Sequence, residues 1–220
     1  MAIDTVYYSK PRRDVASLLP ETAERILEIG SGTGATISWL RERWPAAHFT
    51  GIDCLEEARE PLTKAADVAF IADLDRSLPE LGRYDLVLAL DVLEHLVDPW
   101  TVLRNLADHL TDDGMIIVSV PNVSRLSVSL PLLLSNRFRY TADGILDRTH
   151  LRFFTPETAA ELVTGAGLAI EDARLTGLGQ GRPKLLNKLS FGLLRRHLGI
   201  QTVMRARKTG RYANPAWAPI

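Results

Sequence analysis

At 220 residues, 46% apolar and 24% charged, the chain has enough material for one substantial core and the composition of an ordinary folded domain, so a single domain over residues 1–220 is expected. One cysteine, Cys54, excludes an internal disulfide framework. With no apolar leader at the start and no apolar run of about 18 residues, a cytoplasmic location is the expectation. The formal net charge of -1 conceals a division. Ten of the 26 basic residues fall after residue 172 with no acid among them, and the preceding residues carry all 27 acids against 16 basic groups.

In chain order, "RILEIG" (25–30) reads as a strand, followed by a Gly-rich turn and a helical pattern through "ATISWLRERW". "HFTGID" (48–53) is a second strand, leading into the charged helix "LEEAREPLTKAA" with Pro61 as an irregularity. "VAFIAD" (68–73) and "YDLVLALD" (84–91) are the third and fourth strands. The next helix, "PWTVLRNLADHL", repeats apolar residues every three or four positions and opens on Asp98 and Pro99 in cap and first-turn positions. "GMIIVSVP" (114–121) is the fifth strand. "TPETAAELVTGAGLAI" holds a capped helix and the start of a sixth.

Strands alternating with amphipathic helices predict a doubly wound, mostly parallel α/β sheet covered on both faces. Ligands of such sheets bind beyond the carboxyl ends of the strands, where Asp91, Glu94 and His95 cluster in "LALDVLEHLVDPW". In "LEIGSGTGA", Gly30, Gly32 and Gly34 permit a sharp bend and leave no side chains between loop and ligand, and the following helix turns its free N–H groups there. Asp53, ending the second strand, is placed to accept from the hydroxyls of a ribose. Gly30, Gly32 and Ala35 also satisfy the dinucleotide pattern GxGxxG/A, so an NAD(P)-dependent oxidoreductase is the alternative. Glu28, two residues before the first glycine, would repel a pyrophosphate but accept from an ammonium, which favours a cationic nucleoside.

"LEIGSGTG", Asp53 in "FTGIDCLEEA", "IADLD", "YDLVLALDVLEHLVDP" and "LTDDGMIIVSVPN" resemble, in order and spacing, the motifs of class I S-adenosylmethionine-dependent methyltransferases over roughly residues 22–175. The resemblance implies a seven-stranded Rossmann-like sheet of order 3-2-1-4-5-7-6 with the last strand antiparallel, for which "QTVMRARK" (201–208) is suited. It implies S-adenosyl-L-methionine as cofactor. Glu28 and the loop of Gly30, Ser31, Gly32 and Gly34 would hold its methionine end, and Asp53 the ribose. Cys54 or Leu55 would lie on one adenine face and Asp73 with Leu74 at the adenine edge, with Asp91 lining the pocket near the sulfonium. Residues 1–20 would form a cap segment in which Tyr7 or Tyr8, ahead of Lys10, Arg12 and Arg13, shields the sulfonium by ring-face contact.

The sulfonium is an activated methyl donor, so positioning an acceptor in line supplies much of the rate, and a base is needed only for a hydroxyl. Two readings of the ionisable residues compete. In one, His95 or His150, in "LDRTHLRFFT" (146–155), removes a hydroxyl proton. In the other, Asp91, Glu94, His95 and His150 form a mixed oxygen and nitrogen site for Mg²⁺, Mn²⁺ or Zn²⁺. D-x-x-E-H followed by a distant His resembles the metal site of small-RNA 3′-terminal 2′-O-methyltransferases, and E-x-x-E-H occurs in ubiquinone-pathway O-methyltransferases. This chain has Asp91 where both have Glu, and it lacks the former's flanking RNA-binding modules, which argues against nucleic acid.

Residues 122–154 are an insertion after the fifth strand, expected to act as a lid on the acceptor side. Arg125, Arg137, Arg139 and Tyr140 within it suit an anionic acceptor. "PNVSRLSV", "RFRY" and "LDRTHLRFFT" resemble methyltransferases found with bacterial glycan and glycolipid assembly enzymes, which points to O-methylation of a small-molecule, sugar or lipid-linked acceptor. In the basic extension 182–220, Leu186, Leu189 and Leu193 mark one face of a helix interrupted by Gly192, and Lys184, Lys188 and Arg195 another. That is the signature of a helix that contacts substrate or a membrane surface.

Overall fold

The computed structural model describes residues 10–178 and 181–209, with backbone alone at 181–183. The expectation for Tyr7 and Tyr8 lies outside the described residues. Strands β1 (Arg25–Ile29), β2 (His48–Asp53), β3 (Val68–Ile71), β4 (Tyr84–Leu90), β5 (Leu110–Pro121), β6 (Leu168–Leu175) and β7 (Gln201–Lys208) form one sheet in the order β3-β2-β1-β4-β5-β7-β6. Pairing is parallel from β3 across to β5, and β7 runs antiparallel to both β5 and β6. The order and the reversed final strand are as expected.

Helices α1 (Ala35–Arg43), α2 (Arg59–Ala65), α3 (Pro99–Asp108), α4 (Leu126–Ser135), α5 (Pro156–Gly165), α6 (Gly181–Leu189) and α7 (Arg195–Leu198) connect and flank the strands. Helix α3 illustrates why they form. Pro99 occupies its first position and the Asp98 carboxylate accepts from Thr101 N–H at 3.0 Å, while Val102, Leu103, Leu106 and Ala107 turn one buried stripe to the sheet. Complete burial of Leu103 and Leu106 stabilises the fold by about 1.5–3 kcal/mol each. Pro61 falls in the first turn of α2, where its missing N–H has no intrahelical partner, and a 3₁₀ turn at Glu56–Ala58 leads into it.

Alternation along the strands divides the core. Leu27, Ile29, Val87 and Val118 pack with α3 and α5, and Ile26, Leu86, Leu88 and Ile117 pack with α1, α2 and the 3₁₀ segment Arg13–Leu18. The carboxyl ends of β1, β2 and β4 finish side by side, with Ile29 opposite both Ile52 and Ala89. Glu28, Asp53 and Asp91 are thereby brought to one edge.

Three expectations need correction. The fifth strand begins at Leu110 instead of residue 114, because Thr111–Gly114 continues the pairing through a register shift opposite Tyr84 and Leu86. The helix expected across Leu186–Leu193 ends at Leu189. Phe191 and Gly192 adopt φ of 50° and 85°, which breaks the segment into α6, a turn and α7. Asp91 stands outside β4 with φ of 54°, a left-handed conformation that turns the chain out of the sheet. The insertion over 122–154 comprises α4 and an irregular return leg, pinned to its own start by Val123 N–H donating to Phe154 carbonyl at 2.9 Å.

Candidate active site

The glycine loop is shaped by close approach. Gly30 has φ of 63°, and a Cβ there would lie 2.8 Å from Val92 Cβ; Gly34 has φ of 75°, and a Cβ would lie 2.5 Å from Ala65 Cβ. Only glycine satisfies both demands. The first contact has a further effect: the turn leaving β4 rests directly on the loop leaving β1, which fixes Glu94 and His95 relative to the loop.

Glu28 is buried beneath that loop. One of its oxygens bonds Thr36, and Oε2 is fully enclosed with no hydrogen-bond partner among the described residues. Burial pushes its carboxyl up to about 8, against smaller opposing effects from Thr36 and Arg12. A buried orphan acceptor of this kind suits an ammonium donor. Asp53 is also buried, with Oδ2 accepting from Gly32 N–H at 2.7 Å and Oδ1 from Leu55 N–H at 2.9 Å. Its carboxylate therefore ties the glycine loop to the end of β2, a duty that sequence reasoning missed. Ser31 is buried and its hydroxyl donates to Ile52 carbonyl at 3.1 Å, adding a second tie.

Cys54 is exposed beside this edge, and burial of its sulfur with the Asp53 charge pushes the thiol up. Asp73 is exposed. It accepts from Asp75 N–H at 3.0 Å and pairs with Arg76 at 3.4 Å, so its side chain shapes the turn after β3. Leu74 is buried and packs in the core.

Asp91 is held by residues from three distant segments. Arg12 Nη1 donates to Oδ2 at 2.7 Å, Gln201 Nε2 donates to the same oxygen at 2.5 Å, and Ser119 Oγ donates to Oδ1 at 2.7 Å. Arg12 also forms a bidentate pair with Asp14, at 2.9 Å for each contact, and its N–H donates to Thr36 Oγ at 3.3 Å. Sequence reading singled out Arg12 only as part of a basic segment. No local pattern could have paired it with Asp91, because Gln201 and Ser119 arrive from the far half of the sheet.

Glu94, His95 and His150 form a separate cluster, in which one ligating atom from each lies within 4.8 Å of the others. The expected fourth member, Asp91, is held by Arg12, Ser119 and Gln201 outside that group. The 3₁₀ turn Leu93–His95 presents Glu94 and His95, and the insertion brings His150 to them. The junction is backbone: Leu151 and Arg152 N–H both donate to Glu94 carbonyl, at 2.8 and 3.0 Å. The two imidazoles meet edge to face at 4.7 Å, and His150 Nε2 lies 4.0 Å from Glu94 Oε1. His150 Nδ1 lies 3.1 Å from Ile145 carbonyl and His95 Nδ1 lies 3.3 Å from Thr149 carbonyl, so each Nδ1 donates to the backbone and Nε2 is the nitrogen left for other partners.

Glu94 is 1% exposed, and neither carboxylate oxygen has a hydrogen-bond partner among the described residues. Burial, joined by the Asp91 charge, raises its carboxyl well above the ordinary range. Burial and the neighbouring His150 hold His95 below its ordinary value, so it is neutral near pH 7. Three groups with lone pairs or a displaceable proton thus converge in a low-dielectric corner, which can accept a proton from a hydroxyl or coordinate a cation.

A family model described as "Methyltransferase domain" matches residues 6–173. The trans-aconitate 2-methyltransferase of Afipia carboxidovorans is 32% identical over 120 residues, covering 52% of this chain and 45% of that protein. The ubiquinone biosynthesis O-methyltransferase of Neisseria meningitidis serogroup C is 27% identical over 161 residues, covering 69% of this chain and 66% of its own length. The chain thus spans about half to two thirds of the curated relatives it matches. In structure it is similar to an S-adenosylmethionine-dependent methyltransferase from Mesorhizobium loti, with a TM-score of 0.62 at 18% identity over 89% of this chain and 96% of that one, a likeness of fold.

Proposed function

The chain belongs to the methyltransferase-domain family and has its seven-stranded α/β fold, and from that premise we propose that it transfers a methyl group from S-adenosyl-L-methionine to a hydroxyl oxygen of a small-molecule, sugar or lipid-linked acceptor. The observation that carries the cofactor half is Glu28, a buried carboxylate with one oxygen lacking a partner beneath a glycine loop. That arrangement suits a cationic amino-acid nucleoside, whose ammonium would return the carboxyl to its charged form. Asp53 retains lone pairs for ribose hydroxyls after binding Gly32 and Leu55 N–H. The bound cofactor supplies an activated methyl, and the rest is positioning and proton removal.

The oxygen half rests on His150 and His95. His150, held by Ile145 carbonyl in the tautomer with Nε2 free, takes the hydroxyl proton, and Glu94 lies 4.0 Å from that nitrogen. Thr149, whose hydroxyl lies 3.2 Å from His95 Nδ1 and donates to Asp147 at 2.7 Å, fixes the second ring. The insertion, which delivers His150, forms the acceptor side and acts as its lid. Arg125, Arg137, Arg139 and Tyr140 from it suit an anionic group on the acceptor.

A divalent ion on Glu94, His95 and His150 is the second reading, favoured by the two orphan oxygens of Glu94 and by rings whose Nδ1 atoms are already tied to carbonyls. Two imidazoles and one carboxylate suit Zn²⁺ or Mn²⁺ better than Mg²⁺.

Calorimetric titration tests the premise: S-adenosylmethionine binds and NAD(P) does not, and the reverse ends the reading. A mass-resolved screen of extracts then finds species gaining a methyl group with enzyme and donor. His150→Asn is expected to lose that activity by about 10²- to 10⁴-fold with cofactor affinity kept. Mn²⁺ or Zn²⁺ raising the unfolding midpoint of the native protein, and failing to do so for Glu94→Gln, supports the metal; activity untouched by chelator removes it.

A further inference from the structure

We propose that the turn between α6 and α7, together with α4, docks on the surface of an anionic lipid bilayer, at the same sheet edge as the candidate active site. The register Pro121 opposite Gln201 brings the start of the insertion and the part of the basic extension just before β7 together at the carboxyl edge of β5. They are joined there by hydrogen bonds. Asn122 Nδ2 donates to Arg196 carbonyl at 2.8 Å and to Gly199 carbonyl at 3.1 Å, and His197 Nδ1 lies 3.0 Å from Ser124 carbonyl.

What these segments display is apolar and cationic. Phe191 is 95% exposed and Leu193 84%, and on α4 Leu133 and Leu134 are 79% and 75% exposed. Single exposed leucines are ordinary, but runs of them on two joined elements are not. Phe191 is the more informative. It is a bulky residue at φ of 50°, in a turn closed by Gly192 N–H donating to Asn187 carbonyl at 2.9 Å, so the fold holds it in an unfavourable backbone state without packing its ring. The hydrogen bonds of that turn offset the backbone state, whereas exposure of the ring has no return within the described molecule. An apolar medium outside it supplies one.

Charge selects the medium. Lys184, Lys188, Arg195 and Arg196 are exposed around the turn, none pairs with an acid among the described residues, and no acid occurs after residue 172. Cations flanking a projecting aromatic and leucines match an anionic headgroup layer with acyl chains beneath it. No helix among the described residues is long and apolar enough to cross a membrane, so the contact is interfacial.

Sedimentation of the whole protein with vesicles tests this, independently of any methyl transfer. Phosphatidylcholine vesicles enriched in phosphatidylglycerol are expected to carry the protein down, with binding about tenfold weaker on pure phosphatidylcholine or in high salt. Phe191→Asn, which relieves the left-handed strain, paired with Leu193→Ser should abolish sedimentation with an unfolding midpoint no lower than that of the native protein. The proposal is overturned by equal sedimentation of that variant, by absence of vesicle binding at low salt, or by the same residues serving RNA retention or self-association instead.

Discussion

The guanidinium of Arg12 lies 2.7 Å from the carboxylate of Asp91, joining residues 79 positions apart. Both side chains are about one-fifth exposed, at 22% and 18%, so solvent weakens the pair without erasing it. We expect Arg12→Ala to lower stability by about 1–2 kcal/mol, and the Arg12→Ala, Asp91→Ala double variant to lose clearly less than the sum of the two singles. Strict additivity in denaturant unfolding would mean that the contact has no energetic content.

Glu28 links stability to pH. Its carboxyl rises from an ordinary 4.5 to about 8 in the folded protein, so between those values the folded state holds a proton that the unfolded chain has lost. Stability is therefore complete below about pH 4.5 and declines as pH rises toward 8, with Glu94 adding to the decline in the same direction. Glu28→Gln should flatten the Glu28 part of that slope in thermal unfolding across pH. An unchanged slope would show that Glu28 is already ionised.

The same group gives cofactor binding a proton signature. An ammonium seated at Oε2 restores the carboxylate, so S-adenosylmethionine binding should release a proton below about pH 8 and tighten as pH rises to that value. Calorimetry in two buffers of different ionisation enthalpy reads the released proton. A buffer-independent binding enthalpy would exclude Glu28 as the ammonium's partner.

Gly30→Ala meets two obstacles, a φ of 63° and a Cβ placed 2.8 Å from Val92 Cβ. We expect a loss of about 2–4 kcal/mol, of which Val92→Gly, which removes the contacted Cβ and Cγ2, recovers the steric part while about 1–2 kcal/mol of backbone strain stays. Full recovery in the double variant would show the left-handed conformation to be free of cost.

Asp53→Asn should raise the dissociation constant for S-adenosylmethionine at least tenfold and also lower the unfolding midpoint. The new amide keeps one acceptor for Gly32 or Leu55 N–H and presents a donor to the other. A variant with wild-type affinity would remove the ribose assignment.

The elements were largely legible because strand and helix periods differ and the caps are local: Asp98 before Pro99 and Thr155 before Pro156 both start helices where expected. The turn-like "TDDG" hid the first residues of β5, since Asp and Gly suit a turn and only pairing with Tyr84 makes them strand. Glu28, the glycines and Asp53 were visible as types at fixed spacing. Thr36, which bonds Glu28, and Arg12, Ser119 and Gln201, which hold Asp91, were not, because each is chosen by three-dimensional closure of the sheet. Asp73 has a local duty that its type also announced: it accepts from Asp75 N–H in the turn after β3.

Both feet of the insertion are clamped, one by Val123 N–H on Phe154 carbonyl at 2.9 Å and the other by Leu151 and Arg152 N–H on Glu94 carbonyl at 2.8 and 3.0 Å. Lengthening a span between fixed anchors adds little closure entropy, about 0.6 kcal/mol per doubling. On the proposed function, residues 126–144 are the exchangeable part: a new span grafted there re-engineers acceptor range while Ile145 and Thr149 go on holding the two histidines.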